Sequence, residues 1–539
     1  MSANIPGIVA VVIFYIIILV VGIVTGRKTG KSLSNEAVLV ADRKLGLFVS
    51  IFTMTATMVG GGYINGSAES AAYSGVLWTQ APIGYCLALF VGGFFYAPKM
   101  REENYITMFD PFQLKYGKKV GALLTIPQFL GDLFWSAAVL SALGATISII
   151  LDMSSTLAII LSAAVAILYT FTGGMYAVAY TDVIQLILIA IGLIIAFPFC
   201  LAHQAVDLTT VSGRWLGEVP TSSIASYIDI YLLCIMGGIP WQSFFQRSLA
   251  SRTVHIAKWS ALIAGVFSMS MAIPPMMMGI AASATDWNLT TYDDEIPIPE
   301  DRKRFILPIA LSYLTPLPVS IIGTGAIAAA VMSSADSCIL ASSSVFTWNI
   351  YTEILRPKAS ERELMWVLRI AILVVGVLGS AIAIFSTTIY GLYLMCSDLI
   401  YVVLFPQLTL VLWMPKSNSY GSVVGFFVSL FLRLLSGEPV IHLPAVIKYP
   451  YYDEVRQEQL FPFRTFCMLM GAVCIVVVSL VTHYVFVNEK ISRKYDLLRI
   501  YQLRSIKRRS NLIKEKEDID DKVDDQAAMP LQEGGTTIM

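Results

Sequence analysis

Three consecutive glycines, Gly60, Gly61 and Gly62, interrupt an apolar segment that is otherwise long enough to cross a membrane. The surrounding residues 52–66 read FTMTATMVGGGYING. In hydrocarbon a helix cannot simply stop, because its freed N–H and C=O groups find no water there. A break is therefore tolerated only beside a cavity or inside protein. The segment predicts a functional site at the break.

A second interruption lies about 180 residues later in another apolar segment, where residues 237–241 read GGIPW. Two glycines loosen the helix, and Pro240 removes a backbone donor. Paired interruptions in corresponding segments indicate a transporter built from two inverted halves, with its substrate near the bilayer midplane between them. The alternative is that the glycines only let helices pack closely.

Runs of about 20 apolar residues recur along the chain and define its class. Of the 539 residues, 56% are hydrophobic and only 14% are charged, and about 20 residues cross a ~30 Å hydrocarbon core at 1.5 Å per residue. The sequence predicts an all-α polytopic membrane protein with about 13 transmembrane helices. They are placed near residues 7–25, 46–70, 78–98, 121–150, 156–173, 178–201, 226–249, 258–283, 306–342, 365–386, 390–414, 420–436 and 465–487.

Lysine and arginine are concentrated on one side of these predicted helices. The connections near residues 26–45 and 99–120 and the C-terminal tail are basic, and the positive-inside rule places such segments in the cytoplasm. This puts the N-terminus outside and the C-terminus inside. The same orientation places the N-glycosylation sequon at Asn288 in an outside loop, whereas a second match, at Asn65, falls inside a membrane segment.

The C-terminal tail changes character along its length. Residues 490–516 are basic with interspersed apolar residues, and residues 517–525 are acidic. The basic part either lies on an anionic leaflet as an amphipathic helix or is simply a solvated tail. The last three residues, 537–539, are a weak signal for strand addition to a peptide-binding domain.

Net charge and residue spacing give no indication of a nucleic acid partner, a metal site or an enzyme. The formal net charge is zero, which gives no indication of a nucleic acid partner. The seven cysteines all fall within apolar segments, and neither they nor the four histidines show the spacing of a metal site. No paired carboxylate, nucleophile–base pair or phosphate-binding motif stands out, so the sequence does not indicate an enzyme.

Adjacent serines late in a long apolar segment indicate an ion site. They belong to residues 330–337, AVMSSADS. If the unwound backbone at the first break faces these serines, its free carbonyls complete an oxygen cage for sodium. The predicted sodium ligands are the carbonyls of Ala56, Val59 and Ala330 and the hydroxyls of Ser333 and Ser334. The alternative is that the small residues serve only helix packing.

Three aromatic residues lie in or near the interrupted segments: Trp241 at the second break, Trp135 in the fourth predicted helix and Tyr85 in the third. Aromatic rings bind quaternary ammonium groups, because the ring quadrupole attracts a cation that has no hydrogen-bond donors to satisfy. The three rings predict a site for a methylated amine. A membrane tryptophan is more often an interfacial anchor, but Trp135 and Trp241 lie near the middle of their predicted helices.

The acidic residues inside predicted membrane helices include Asp132, Asp182, Asp336 and Asp398, and a carboxylate there is expensive and by default functional. Asp132 shares a helical face with Trp135, three residues later, and either compensates the charge of the substrate or is a structural partner in a polar helix. Asp182 either steers ions on their exit or caps its helix, and the cap is the favoured interpretation. Asp336 and Asp398 receive no role.

Taken together, these motifs resemble the sodium-solute symporter family, in particular its choline-carrying members. The resemblance runs from the first predicted helix to about residue 487 and rests on FTMTAT-VGGGYING, WTQAPIGY, FDPFQLKYGK, SALGATIS, GGMYAVAYTDV, GGIPWQSFFQR, ATDWN, AAAVMSSADS, YGLYLMCSDLIYVVLFPQL and FLRLLSGEP. It implies sodium-coupled uptake by alternating access and a LeuT-like, five-plus-five inverted-repeat core behind one extra helix. It also implies chloride dependence, without locating a site. The family's second sodium site maps onto the five predicted sodium ligands.

The choline cage of the family maps onto Tyr85, Trp135 and Trp241, which match, and onto Met58, where the choline-carrying members have tryptophan. A polarizable thioether can still contact a methylammonium group, but the loss of one ring weakens binding by a factor of about 5 to 30. The resemblance implies choline as the substrate. A related quaternary amine or another small solute is the first alternative, and a non-transporting choline receptor is the second.

The resemblance and the predicted helices divide the chain into four parts. Residues 1–45 hold the extra helix and the first cytoplasmic loop. Residues 46–414 form the transport core in two halves, 46–201 and 226–414. Residues 415–487 form two C-terminal helices with an extracellular loop, and residues 488–539 form a cytoplasmic tail. The implied location is the plasma membrane, and a presynaptic or vesicular location, a homo-oligomer and trafficking partners at the tail are left open.

Overall fold

The structure, a computed structural model, describes residues 39–151, 153–170, 175–488 and 490–498, together with Ile16 and Val20. The first predicted transmembrane helix, residues 7–25, lies outside the described residues apart from those two. The tail from residue 499 lies outside them as well, and so do the predictions made for its membrane-lying part and its terminus.

The first half of the helical core opens with a broken helix. Helix α1 (Leu47–Met58) ends, and α2 (Gly61–Tyr73) begins after two intervening residues, with a bend of 50° between them. A π-helical turn, Gly92–Tyr96, joins the third helix to the fourth. The helices that follow are α3 (Ala81–Val91), α4 (Ala97–Glu102), α5 (Asp110–Tyr116), α6 (Lys118–Leu123), α7 (Thr125–Leu151), α8 (Ser155–Thr170) and α9 (Met175–Leu201).

The second half also opens with a broken helix, whose parts are separated by residues 238–241. Its helices are α10 (Ile224–Gly237), α11 (Gln242–Ala250), α12 (Val254–Ser283), α13 (Ile306–Tyr313), α14 (Leu317–Val345), α15 (Glu361–Phe385), α16 (Ile389–Leu399) and α17 (Phe405–Trp413). Two π-helical segments, Phe346–Leu355 and Ile400–Leu404, continue α14 and join α16 to α17.

Two further helices, α18 (Ser419–Leu435) and α19 (Phe463–Val487), pack against each other. The connection between them holds two short antiparallel strands, β1 (Tyr452–Asp453) and β2 (Glu458–Gln459), with Tyr452 opposite Gln459. Short 3-10 segments lie at Ala41–Arg43, Val76–Trp78, Leu208–Val211, Thr221–Ser223, Trp287–Leu289, Glu300–Phe305, Pro439–Ile441 and Arg493–Tyr495.

Nine helices in the described part of the chain are long and apolar enough to cross a membrane, and the bent pair α1–α2 raises the number to ten. Two shorter apolar helices lie at Ser155–Leu168 and Ser419–Leu435. All of them overlap helices predicted from the sequence. The polytopic helical architecture is therefore confirmed, while the total of 13 and the inverted-repeat arrangement stay predictions.

The predicted helix at residues 306–342 is wrong in its extent. Helix α13 ends at Tyr313, and α14 begins at Leu317, directly after Pro316, whose backbone is extended (φ −60°, ψ 148°). Because the residue before a proline disfavours the helical conformation, the chain turns here. Only α14 has the length of a membrane-crossing helix.

Helix α14 lies at the centre of the core. Its residues 326–345 are all buried, and it packs against α7, α9 and α15. The run of alanines and serines on α14 lets neighbouring backbones approach closely. Helix α12 packs against α1, α2 and α3, so both parts of the first broken helix are enclosed by protein.

Candidate substrate and ion site

The first break exposes backbone carbonyls inside the protein. Val59 (φ −85°, ψ 66°) and Gly60 (φ −96°, ψ 178°) have non-helical backbones between α1 and α2. Ala56 is one of the last four residues of α1, whose carbonyls have no partner within the helix, and Val59 lies between the two helices. Both residues are fully buried. The break therefore offers oxygen ligands where water is excluded.

The break lies directly against α14. A Cβ on Gly60 would stand 1.9 Å from the hydroxyl oxygen of Ser334 and 3.8 Å from the carbonyl oxygen of Ala330, so only glycine fits. The Ser334 hydroxyl also donates to the carbonyl of Thr57, at 3.4 Å. The structure thus brings the unwound backbone against Ser334, one of the two predicted serine ligands. That these residues bind sodium stays a prediction.

Asp182 joins this oxygen-rich region from α9. Its carboxylate accepts hydrogen bonds from Thr53 Oγ1 (2.5 Å) and Ser333 Oγ (2.6 Å). It also lies 3.5 Å from the guanidinium of Arg247, which donates to Ser337 Oγ at 2.6 Å. All these side chains are buried. A carboxylate and its counter-ion therefore stand beside the predicted sodium ligands.

The interpretation of Asp182 as a helix cap is wrong. Helix α9 begins at Met175, so Asp182 lies inside it and has no free N–H groups to cap. The buried position of Asp182 could have been predicted from the same feature that singled out Asp132, an acidic residue at membrane depth. Asp336, also on α14, is buried and close enough for its charge to interact with those of Asp182 and Arg247.

Asp398 belongs to a separate ion-pair group. Its carboxylate lies 2.5 Å from Arg433 Nη2 and 3.0 Å from Arg464 Nε. Glu438 contacts Arg433 at 2.5 Å, and Asp229 lies 3.9 Å from Arg464. These residues tie α16 and α10 to the C-terminal pair α18–α19. Since each buried charge has a partner, the group has a structural explanation.

The second break places Trp241 at the core. Helix α10 ends at Gly237, and Trp241 has an extended backbone (φ −110°, ψ 129°) before α11 begins. The indole Nε1 of Trp241 donates to the carbonyl of Gly237 at 2.7 Å, which satisfies one of the carbonyls freed by the break. A Cβ on Gly238 would stand 2.8 Å from Cδ1 of Tyr85, so the break also packs closely on that ring.

A cavity of about 20 Å³, lined by buried residues, lies where the two breaks approach each other. Trp135 and Trp241 meet edge to face with ring centroids 5.0 Å apart, and Tyr85 and Tyr393 do so at 5.4 Å. A cavity walled by rings binds a cation without hydrogen-bond donors. Its lining residues are Met58, Tyr85, Trp135, Gly238, Trp241, Tyr393 and Cys396.

Of the predicted substrate residues, Met58, Tyr85, Trp135 and Trp241 are brought together in this cavity, and Asp132 is not among its lining residues. Asp132 is fully buried and accepts a hydrogen bond from Gln128 at 2.9 Å. This position favours the alternative of a structural partner on α7. Charge compensation by Asp132 stays a prediction.

Sequence reasoning missed two lining residues, Tyr393 and Cys396, both on α16. They are three residues apart and therefore share a helical face. Their segment is one of the motifs that carry the resemblance, but it holds no helix break, and its acidic residue, Asp398, received no role.

The predicted glycosylation site lies in an exposed connection. Asn288 is exposed and stands in the 3-10 segment Trp287–Leu289 between α12 and α13. Asn65, the second sequon match, is buried in α2, as expected for a chance match. Attachment of a glycan to Asn288 stays a prediction.

Broken membrane helices around a buried site are the architecture of secondary transporters. The chain matches the family model of the sodium:solute symporter family over residues 39–429. It therefore belongs to the sodium:solute symporter family. The sequence-based resemblance to that family is confirmed.

Curated relatives cover most of the chain. It is 49% identical to High-affinity choline transporter 1 of Drosophila melanogaster over 92% of this chain and 81% of the relative. It is 45% identical to High affinity choline transporter 1 of Homo sapiens over 92% of this chain and 88% of the relative.

Solved structures support the fold. A Na+-coupled sialic acid symporter, described in a substrate-bound outward-open state, matches with a TM-score of 0.71 at 17% identity over 88% of this chain and 97% of the other. A nucleobase-cation-symport-1 family transporter matches with a TM-score of 0.53 at 14% identity over 83% of this chain and 96% of the other. At these identities the likeness concerns the fold alone.

Proposed function

We propose that the protein is a sodium-coupled symporter that imports choline across the plasma membrane by alternating access. The single observation that carries the proposal is the buried cavity walled by Tyr85, Trp135, Trp241 and Tyr393 at the two helix breaks. Such rings favour a quaternary ammonium group over a sugar, which would need hydrogen-bond partners. The printed names of the relatives, high-affinity choline transporters, support the same substrate.

Coupling between sodium and substrate is explained by the first break. Met58 lines the cavity and is the last residue of α1, and Val59 and Gly60 follow it against Ser334. A sodium ion bound by the carbonyls of Ala56, Val59 and Ala330 and the hydroxyls of Ser333 and Ser334 would fix the backbone that holds Met58 in place. Because such coupling is reciprocal, choline must tighten sodium binding by the same factor.

The proposal includes the finer architecture. The five-plus-five inverted repeat occupies residues 46–414, with one extra helix in residues 1–45, two further helices in residues 415–487 and a cytoplasmic tail in residues 488–539. The N-terminus is outside, and Asn288 is glycosylated there. Chloride dependence is part of the proposal as an expected property without an assigned site.

Replacement of external sodium by an inert cation is expected to abolish choline uptake in cells that express the full chain. Uptake of choline, betaine and a sugar is measured side by side, with non-expressing cells as the background. A monovalent charge gains about 2.3 kcal/mol per 100 mV on entry. The ratio of internal to external choline should therefore change by up to about 50-fold per 100 mV for each charge that enters. Sodium-independent uptake, or preference for the sugar, would contradict the proposal.

A symporter for a related quaternary amine or another small solute is the second candidate, and Met58 is the observation that favours it. The substitution Met58→Trp is expected to increase choline affinity by a factor of about 5 to 30 if the cavity is a choline cage that lacks one ring. Met58→Leu, which fills a similar volume without a ring, is the matched control and should give no gain. Equal affinities of the two variants would favour another solute.

A further inference from the structure

Helix α16 supplies a wall of the cavity that lies outside both broken helices. Tyr393 and Cys396 line the cavity, and the next residue, Ser397, is fully buried without lining it. The hydroxyl of Ser397 lies 2.5 Å from the hydroxyl of Tyr85 on α3. A side chain outside the cavity therefore holds the polar end of one of its rings.

A second contact joins the same two helices two turns earlier on α16. The hydroxyl of Tyr390 accepts a hydrogen bond from the backbone N–H of Ala81 at 3.2 Å and donates to the carbonyl of Trp78 at 3.2 Å. Ala81 is the first residue of α3, and Trp78 precedes it closely. The two contacts fix both the position of α3 along α16 and its rotation about its own axis.

Helix α16 is itself anchored at its N-terminus. Glu69 on α2 accepts hydrogen bonds from Thr388 Oγ1 (2.5 Å) and from the backbone N–H of Ile389 (2.8 Å). A carboxylate at this place satisfies free N–H groups and complements the helix dipole. Ser397 therefore stands on a helix whose position is set by the second part of the first broken helix.

We propose that Ser397 is a positioning residue for the substrate, which holds the Tyr85 ring against the cavity and keeps the Tyr85 hydroxyl out of it. The inference rests on the proposed function, because it concerns the affinity for a trimethylammonium group. Gly238 packs against Tyr85 Cδ1, so the ring is restrained by the second break as well as by Ser397. Without Ser397 a buried hydroxyl loses its partner, and the ring tilts or leaves a polar group unsatisfied in the wall.

The substitution Ser397→Ala is expected to raise the KM for choline about fivefold, the effect of losing one hydrogen bond. The maximal rate per transporter at the cell surface should stay unchanged, because the residue acts on binding. Ethyltrimethylammonium, which lacks the hydroxyl of choline, should lose affinity by the same factor as a competitor. Ser397→Thr retains a hydroxyl and should therefore keep the choline affinity of the unmodified chain. If only the volume of the serine side chain mattered, the larger threonine would not keep that affinity.

The chain offers a matched control in the same two membrane segments, Val76–Glu102 and Ile389–Trp413. The hydroxyls of Tyr96 and Thr409 lie 2.8 Å apart, and neither residue lines the cavity. Thr409→Ala removes an equivalent hydrogen bond and should leave the KM for choline unchanged. An equal rise in KM for Thr409→Ala would show that the effect is general helix packing and would overturn the proposal.

A double-mutant cycle with Tyr85→Phe completes the test, and Tyr85→Phe alone tests the hydrogen bond if Ser397→Ala does not reach the cell surface. Tyr85→Phe keeps the ring and should itself raise the KM about fivefold, and adding Ser397→Ala should then have no further effect. Additive effects overturn the proposal. If the unmodified chain takes up choline and both single variants keep its KM, only this inference fails; if the unmodified chain takes up no choline, the proposed function fails with it.

Discussion

Replacing Trp241 by alanine is expected to reduce choline affinity by at least about 30-fold, the largest effect of any cavity substitution. The loss combines a cation–π contact worth up to about 2 kcal/mol in a desolvated site with the edge-to-face contact to Trp135. It also leaves the Gly237 carbonyl without its indole donor. Binding of radiolabelled choline to membranes that contain equal amounts of each variant measures the effect.

Two variants separate recognition from folding. Trp241→Phe keeps a ring and should lose less affinity than Trp241→Ala. Trp287→Ala removes a tryptophan that is also buried, at 6% exposure against 3% for Trp241, but does not line the cavity. If Trp287→Ala weakens binding as much as Trp241→Ala, or if Trp241→Ala binds choline normally, the rings only pack and the cavity is not the substrate site.

Replacing Ser333 or Ser334 by alanine is expected to raise the sodium concentration for half-maximal uptake about tenfold or more. Each change removes a hydroxyl ligand from a cation, and interactions with charged groups contribute about 1.5–3 kcal/mol. Ser333→Ala should have the larger effect, because it also removes a hydrogen bond to Asp182. Sodium titration of choline uptake, at a fixed choline concentration, measures the shift.

Ser343 provides the control for these two variants. It is a fully buried serine on the same helix, and its hydroxyl is bonded within that helix to the carbonyl of Ile339, at 2.6 Å. Ser343→Ala should leave the sodium dependence unchanged. Unchanged sodium dependence of both Ser333→Ala and Ser334→Ala would mean that the sodium ligands are misassigned, while the choline cavity would be unaffected by that result.

The positions of both helix breaks could be predicted from the sequence, because glycine and proline weaken a helix whatever the rest of the chain does. The serine pair on α14 was considered as a partner of the first break, and in the structure Gly60 of that break packs against Ser334; the sodium site itself stays a prediction. The three rings at Tyr85, Trp135 and Trp241 were also predicted to converge, and they do.

Other features depend on how helices lie against each other, which periodicity does not reveal. Tyr393 enters the cavity because α16 packs against α2 and α7, and nothing in its own segment indicates that packing. Asp182 was misinterpreted because a helix start was placed too late, which turned a buried carboxylate into a cap. The shared face of Asp132 and Trp135 left two roles open for Asp132, charge compensation and a structural partner, because a helical face is wide enough for one residue to line a cavity and the other to contact Gln128.

The most direct test of the account is equilibrium binding of radiolabelled choline to the purified full-length protein at increasing sodium concentrations. The cavity and the predicted sodium ligands share the backbone from Met58 to Gly60, so each ligand should tighten the other by the same factor. The account predicts saturable binding whose dissociation constant falls as sodium rises. Binding of choline with the same affinity in the presence and absence of sodium would contradict it.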